Sequence, residues 1–284
     1  MSPLLVKARR EGREIVNVAP DRMPPLCAGW SHVGFRALRL AAGETETLDT
    51  GQRELCIVVL TGGVDVTVDG QTYTDLGTRN SVFDAASPAA VYVPANKSVA
   101  VNARRNAEIA LCSAPAGDAA SSAARQVRVI DPAGMKRSVR GQGSNTRTIC
   151  DILPHDDPTA AHLLVVEVLT PAGHSSSYPP HKHDLETPPL ETQLEETYYH
   201  RLNPPQGFAF QRVYTDDRTL DEACAVEDHD VVMVPRGYHP VVAPHGYDLY
   251  YLNVMAGPKR LWVFRNDPAH EWMLQPGALA PQVG

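Results

Sequence analysis

Short apolar runs and alternating apolar and polar stretches recur along the 284 residues and are separated by turn residues. In the first half an apolar run at 55–60 is followed by a Gly-Gly turn and by a period-two stretch at 64–68. In the second half the strand patterns are those of 163–169, 196–200, 208–214, 231–234 and 247–254. Convincing amphipathic helices are scarce. Many short strands joined by turns predict an all-β fold built from barrels or sandwiches.

A stretch of small and polar residues divides the chain. Residues 116–127 are rich in Ala and Ser and lack apolar periodicity, which is typical of a linker. We therefore predict an N-terminal barrel in 1–115 and a C-terminal barrel in 128–284.

The two halves also share a weak internal repeat. The separation of Glu54 from Pro94 nearly equals that of Glu196 from Pro235, and each glutamate precedes a strand pattern. The second half has an insertion before its glutamate that contains a His-x-His pair. This indicates duplication of one barrel with the chemistry in the second copy. The first copy is predicted to hold no metal site.

Charge and composition restrict the classes of partner. A formal charge of −7, a pI near 5.9 and the absence of a dense Lys/Arg patch argue against binding to nucleic acid. No apolar run approaches the roughly 20 residues of a membrane span, and the N-terminus shows no signal peptide. The 5 cysteines are scattered and predict free thiols in a reducing compartment. A cytoplasmic protein without nucleic-acid or membrane partners is therefore expected.

Histidines concentrate in the second half, where four residues have the spacing of a metal site. His181 and His183 are two positions apart, so on a strand both rings point to the same face. Glu196 opens a later strand, and His239 follows the Pro-Arg-Gly-Tyr turn after the strand at 231–234. Neutral imidazoles bind Zn, Fe, Ni or Cu, and a carboxylate also admits Mn. The set predicts a divalent-metal site with coordination positions left for a substrate.

Spacing alone does not fix the acidic ligand. Glu195 and Glu196 are adjacent, and adjacent strand residues face opposite sides, so only one of the two can enter the barrel. Glu186 and Glu191 lie between His183 and that strand and are further alternatives.

This pattern resembles the two motifs of the cupin superfamily. The matching positions are Gly173, His181, His183, Glu196, Gly207, Pro235, Gly237, His239 and Asn253. The gap from His183 to Glu196 is longer than in the first motif, and His239 comes one residue early in the second. The register of the first motif, Glu-x-Tyr-Tyr in this chain, favours Glu196 over Glu195 as the ligand.

Longer blocks are similar to the 5-deoxy-glucuronate isomerase family of myo-inositol catabolism. They are 176–184, 194–201, 207–214, 234–241 and 246–257. That family is a bicupin, with two double-stranded β-helix (jelly-roll) barrels in one chain, and is related to the 5-keto-4-deoxyuronate isomerases, whose metal is zinc. The resemblance implies a metal-dependent aldose–ketose isomerase that converts 5-deoxy-D-glucuronate to 5-dehydro-2-deoxy-D-gluconate, with Zn expected and Mn or Fe as alternatives. The alternative activities are a related uronate ketol-isomerase and a cupin dioxygenase.

An aldose–ketose isomerisation needs a Lewis acid at the substrate oxygens and a base near C1 and C2. The candidates for the base are Glu195, Tyr198, His200 and Lys182, and the sequence does not decide among them. Tyr198 and His200 have the strand parity of Glu196, so they are predicted to face the interior.

The carboxylate of a sugar acid calls for a cation, and an arginine offers it a planar bidentate match. Arg212 is predicted to line the barrel and bind this carboxylate, with Arg236 and Lys182 as competitors. Tyr251 and Asn253 lie on the last strand and are predicted substrate contacts. A homo-oligomer is also expected, because barrels of this type often pair through sheet edges.

Overall fold

The computed structural model describes residues 2–118 and 124–275, and antiparallel β-strands dominate it. The strands of the first half are β1 (Leu5–Val6), β2 (Glu14–Val18), β3 (Gly34–Leu40), β4 (Thr45–Asp49), β5 (Arg53–Val68), β6 (Gln71–Leu76), β7 (Ala89–Val93) and β8 (Ser98–Pro115). Those of the second half are β9 (Arg128–Ile130), β10 (Lys136–Arg140), β11 (Arg147–Leu153), β12 (Leu164–Thr170), β13 (Ser175–Ser176), β14 (His181–Lys182), β15 (Glu195–Asn203), β16 (Phe208–Tyr214), β17 (Asp221–Glu227), β18 (Val231–Val234), β19 (Val241–Val242), β20 (Asp248–Ala256) and β21 (Arg265–Asn266). Short 3₁₀ turns span Pro20–Arg22, Pro25–Cys27, Pro132–Gly134, Gly143–Asn145 and Glu271–Leu274. None of the helical segments described has the length and apolar character to cross a bilayer.

The first half forms an eight-stranded sheet in which the long strands β5 and β8 run side by side. Its order is β2-β3-β8-β5-β7-β9, with β4 also paired to β8 and β6 to β5. The β5–β8 register shifts around Gly62, which has a φ of +82°. A Cβ at this residue would lie 2.1 Å from the backbone oxygen of Asn106, so glycine is required for the bend. The core of this sheet is aliphatic and includes Leu55, Ile57, Val91, Val93 and Leu111.

A seven-stranded and a four-stranded sheet enclose the interior of the second half. One has the order β1-β18-β15-β20-β12-β11-β10 and the other β13-β19-β16-β17, while β14 pairs with β21. On β15, Glu196, Tyr198 and His200 share one face. On β20, Asn253 lies opposite Tyr198, and Tyr251 lies opposite His200. The seven-stranded sheet therefore carries a row of polar residues on its inner face.

Each half contributes an edge strand to the other half's sheet. β1 pairs with β18 in the second half, and β9 pairs with β7 in the first half. Because β7 and β18 hold corresponding places in the two copies, the exchange is pseudo-symmetric, in agreement with a duplication. The predicted division into 1–115 and 128–284 stays a prediction. Part of the predicted linker, residues 119–123, lies outside the described residues.

Two buried carboxylates join the halves. Glu54 accepts hydrogen bonds of 2.7–2.8 Å from the backbone N–H groups of 161–163. Glu195 accepts hydrogen bonds of 2.6–2.8 Å from the backbone N–H groups of 31–33. Glu195 is thus fixed at the junction of the halves and points away from the barrel interior. Three backbone donors therefore occupy the carboxylate of this predicted catalytic base.

The ladders also define how the two copies correspond. Leu55 pairs with the last residue of β7, and Glu196 pairs with the last residue of β18. Glu54 therefore corresponds to Glu195, not to Glu196 as the spacing of the repeat indicated. An aliphatic side chain, Leu55, stands in the first copy where the second copy has Glu196.

Candidate metal centre

Three segments bring candidate ligands to one end of the second-half interior. Glu196 lies at the start of β15, His183 directly follows β14, and His239 lies on the turn between β18 and β19. Gly237 allows this turn, with a φ of +94°. A Cβ at this position would lie 2.5 Å from the backbone oxygen of Tyr214, so a larger residue would displace the turn that carries His239.

The ligand atoms of these three residues face one another. Glu196 Oε2 lies 3.0 Å from His183 Nε2 and 3.2 Å from His239 Nε2. The other ring nitrogens meet backbone carbonyls: His183 Nδ1 lies 3.0 Å from Leu194 O, and His239 Nδ1 lies 2.8 Å from Gly237 O. Because a carbonyl oxygen only accepts hydrogen bonds, each Nδ1 carries a proton and donates it. In the neutral rings the Nε2 lone pairs are therefore directed at the carboxylate.

This arrangement fits a divalent cation. Burial by itself would raise the pKa of Glu196, but the adjacent His183 and His239 rings lower it to about 2, so the carboxylate is ionised. Within the described residues, His239 Nε2 is buried without a hydrogen-bond partner. With the single proton of each neutral ring on Nδ1, the His239 Nε2 lone pair faces no donor. A shared cation would accept the lone pairs of both Nε2 atoms and of the carboxylate oxygen. The ligand atoms of the three residues lie close enough together to hold one metal ion.

His181 lies beside this group. Its ring centroid is 4.8 Å from that of His239 and 6.4 Å from that of His183. Burial, followed by the nearby His239 and His183, lowers the pKa of His181 well below its ordinary value. The ring is therefore a neutral Lewis base at neutral pH, and His181 stays a predicted fourth ligand.

A cavity of about 290 Å³ opens beside the centre. This volume is near the lower limit of roughly 300 Å³ for small-molecule sites. Its polar wall includes His181, Glu196, Tyr198, Tyr251, Asn253 and Arg147. Trp262 and Phe264 form part of its apolar wall. The structure therefore places Tyr198, Tyr251 and Asn253 in the cavity beside the candidate metal centre.

The two tyrosine hydroxyls in this wall are held by serines. Tyr198 Oη lies 3.1 Å from Ser177 Oγ, and Tyr251 Oη lies 2.6 Å from Ser176 Oγ. Burial raises the pKa of Tyr198 well above its ordinary value, and the charge of Glu196 acts in the same direction. Tyr198 therefore keeps its proton at neutral pH.

Two more of the predicted bases do not reach the cavity. His200 faces the interior as predicted, but its Nε2 lies 2.9 Å from Gln211 Oε1 and its ring stacks behind Tyr198. Burial lowers the pKa of His200 to about 4. Lys182 lies next to the metal centre in sequence, yet its ammonium pairs with Asp216 at 2.9 Å. The structure therefore brings neither His200 nor Lys182, both predicted as bases, into the lining of the cavity.

The predicted carboxylate anchors lie outside the cavity as well. Arg212 is on the outer face of β16, with a half-exposed side chain that makes two hydrogen bonds of 2.6–2.7 Å to Asp221. The alternation on β16 directs Gln211, not Arg212, to the interior. Arg236 Nη1 reaches toward Leu26 O in the first half, at 3.5 Å. The structure therefore places neither Arg212 nor Arg236 in the lining of the cavity.

The arginines that do line the cavity were not predicted. Arg147 begins β11, and Arg140 ends β10. Both faces of β11 are largely buried, so the strand shows no period of two in its sequence. The sequence did contain one indication of this position. If 147–153 is assigned as a strand with Ile149 facing inward, Arg147, two residues earlier, faces inward as well.

Comparison with known proteins identifies the family. The model of the KduI/IolB family matches residues 4–273. The chain belongs to the KduI/IolB family. A 5-deoxy-glucuronate isomerase of Halalkalibacterium halodurans is 50% identical to this family member over 248 residues, which cover 87% of this chain and 90% of the relative.

Solved structures extend the likeness to the fold. The crystal structure of an IolB-like protein from Salmonella typhimurium superimposes with a TM-score of 0.89 at 45% identity, covering 95% of this KduI/IolB chain and 99% of that one. The oxalate decarboxylase of Lactobacillus farciminis superimposes with a TM-score of 0.61 at 13% identity, covering 94% and 89% of the two chains. The second likeness concerns the fold alone. The predicted all-β bicupin fold and the predicted family are confirmed.

Proposed function

We propose that this KduI/IolB family member is a 5-deoxy-glucuronate isomerase that converts 5-deoxy-D-glucuronate to 5-dehydro-2-deoxy-D-gluconate in myo-inositol catabolism. The observation that carries the proposal is the 50% identity to an enzyme of that name over 87% of the chain. The reaction is internal to the substrate: a hydrogen leaves C2 and one is added at C1, while the hydroxyl proton of C2 is lost and the aldehyde oxygen gains one. No external oxidant or reductant is needed.

The proposed cofactor is a divalent metal ion held by His181, His183, Glu196 and His239. Zinc is the first choice because imidazole and carboxylate donors suit it, and Mn or Fe are the alternatives. Bound there, the ion would supply Lewis acidity at the substrate's oxygens. Elemental analysis of the purified protein identifies the metal.

Tyr198 is the one of the four predicted bases that lines the cavity, and we assign it the proton transfer at a sugar oxygen. Its Oη holds a proton at neutral pH and is oriented by Ser177. The ring packs 4.9 Å from that of Tyr251, which limits its rotation. Asn253 adds an Nδ2 donor that is buried without a partner among the described residues and can bind a substrate hydroxyl.

The direct test of the function is incubation of the purified protein with 5-deoxy-D-glucuronate in D₂O, followed by NMR of the C1 and C2 protons. Loss of the aldehyde signal with appearance of C1 methylene signals is the expected result. Conversion of a 5-keto-4-deoxyuronate instead would indicate the related ketol-isomerase. Consumption of O₂ with the substrate would indicate a dioxygenase.

Replacing Tyr198 by phenylalanine is expected to lower kcat by about 100-fold, because a positioned acid or base contributes at least that factor. KM and the metal content should change little, since the ring and the ligand set remain. Steady-state kinetics and elemental analysis provide the two measurements. The matched control is Tyr199→Phe, whose hydroxyl binds Glu108 on the opposite face of β15. Equal kcat values for Tyr198→Phe and the wild type would exclude Tyr198 from proton transfer.

The homo-oligomeric state and the cytoplasmic location remain proposals. β10 is an edge strand, and its Val139 side chain is exposed. Such an edge offers unpaired backbone groups to a second copy, which is consistent with pairing through sheet edges.

A further inference from the structure

Two arginines line the cavity beside the metal centre. Arg147 and Arg140 both line it, and neither forms an ion pair within 2–118 and 124–275. The hydrogen bonds of Arg147 within these ranges leave from Nη1, to Asn145 O at 3.0 Å and Asn145 Oδ1 at 3.1 Å. Asn145 is itself held by its Nδ2, which donates to Tyr178 O at 3.1 Å. The guanidinium is thus oriented, while its Nε and Nη2 remain available to a ligand.

The two arginines also face each other across a strand pair. Arg140 and Arg147 are direct partners in the β10–β11 ladder. Like charges in this position destabilise a sheet, and a bound anion removes that cost. Burial, with a smaller effect of the Arg140 charge, lowers the pKa of Arg147, so the fold holds this guanidinium in an unfavourable environment. Both observations indicate an anion subsite that is formed in advance of binding.

The geometry of a sugar acid matches this placement. A uronic acid carries its aldehyde at one end of the carbon chain and its carboxylate at the other. Glu196 and His181 of the metal centre line the same cavity as Arg147. A substrate whose aldehyde is at the metal centre can therefore direct its carboxylate to the arginines.

We propose that Arg147, with Arg140 at the cavity mouth, binds the substrate carboxylate and selects sugar acids over neutral sugars. This inference rests on the proposed isomerase function, and it names the recognition element of that site. The planar guanidinium supplies two parallel N–H donors to the carboxylate, which a lysine does not.

The test compares Arg147→Met with the wild type on two substrates. These are 5-deoxy-D-glucuronate and 5-deoxy-D-glucose, in which a CH₂OH group replaces the carboxylate. Arg147→Met should raise KM for the acid about 30-fold, as expected for loss of hydrogen bonds to a charged group, and leave the kinetics of the neutral sugar unchanged. Arg147→Lys keeps the charge and should recover part of the loss. The matched control, Arg212→Met, removes an exposed arginine paired with Asp221 and should not alter KM.

A second measurement does not depend on turnover. The acid made by reducing C1 of the substrate to an alcohol cannot isomerise, and its Kd by calorimetry should rise in Arg147→Met by a similar factor. Thermal unfolding of each variant verifies that it is folded, and Arg140→Met provides an independent change at the same subsite, with a smaller expected rise. If the wild type does not convert 5-deoxy-D-glucuronate, the proposed function fails. If the wild type converts it but Arg147→Met keeps KM and Kd within twofold, the function stands and the carboxylate subsite is refuted. An equal loss on the acid and the neutral sugar would also refute it.

Discussion

Replacing His239 by alanine is expected to remove the bound metal and to lower kcat/KM by at least about a thousandfold, because losing the Lewis acid costs several kcal/mol of transition-state stabilisation. The His239 Nε2 atom is buried, has no hydrogen-bond partner among the described residues and lies 3.2 Å from Glu196 Oε2. Without it, His183 and Glu196 lose the neighbour that completes their ligand group. The metal-to-protein ratio and steady-state kinetics measure the two effects.

The matched control for this substitution is His245→Ala, which removes an exposed histidine from the same half of the chain. It should retain both metal and turnover, and circular dichroism should show that both variants are folded. Treatment of the wild type with a chelator should reproduce the loss of activity, and added zinc should reverse it. Full metal occupancy with full activity in His239→Ala would remove His239 from the ligand set.

The residues of the candidate metal centre could be selected from the sequence because they belong to short local patterns. A His-x-His pair on a strand puts two rings on one face, and the Pro-x-Gly turn requires the positive φ that Gly237 adopts. Each pattern fixes the direction of a side chain or of a turn from a few neighbouring residues alone. The structure then brings His183, Glu196 and His239 together, since β15 and β18 are neighbours in one sheet.

The placement of Glu195 and Arg212 depended on strand phase, which an uninterrupted run of buried residues does not reveal. Glu195 and Glu196 differ by one position, and that step separates the junction between the halves from the metal centre. The same step separates Gln211, inside, from Arg212, outside. Arg147 was missed because the pairing of β11 with β10 and β12 is long-range information that the local sequence does not carry.

The junction between the halves contains a buried ion pair whose loss has the largest stability effect that we expect. Arg79 Nη1 and Nη2 donate to the two oxygens of Glu167 at 3.0 and 2.8 Å, and Arg79 Nε donates to Leu60 O at 2.8 Å. The side chains of Arg79 and Glu167 are 0% and 2% exposed. Tyr250 Oη donates to Glu167 at 3.0 Å. Arg79 precedes β7, and Glu167 is on β12, so the pair connects the first half to the sheet that carries the site.

Replacing Arg79 by methionine is expected to lower the free energy of unfolding by about 3–5 kcal/mol, because it leaves the Glu167 charge buried with Tyr250 as its main remaining partner. Denaturant titration measures the change. Arg104→Met, which breaks an exposed pair with Asp65, is the control and should cost about 1 kcal/mol or less. Similar losses of unfolding free energy in Arg79→Met and Arg104→Met would contradict a large stability effect of breaking the buried pair. The double variant Arg79→Met with Glu167→Leu separates the penalty of an unpaired charge from the net contribution of the ion pair. If the double variant regains most of the stability, the cost arises from the unpaired charge. The ion pair then fixes how the halves dock without adding net stability.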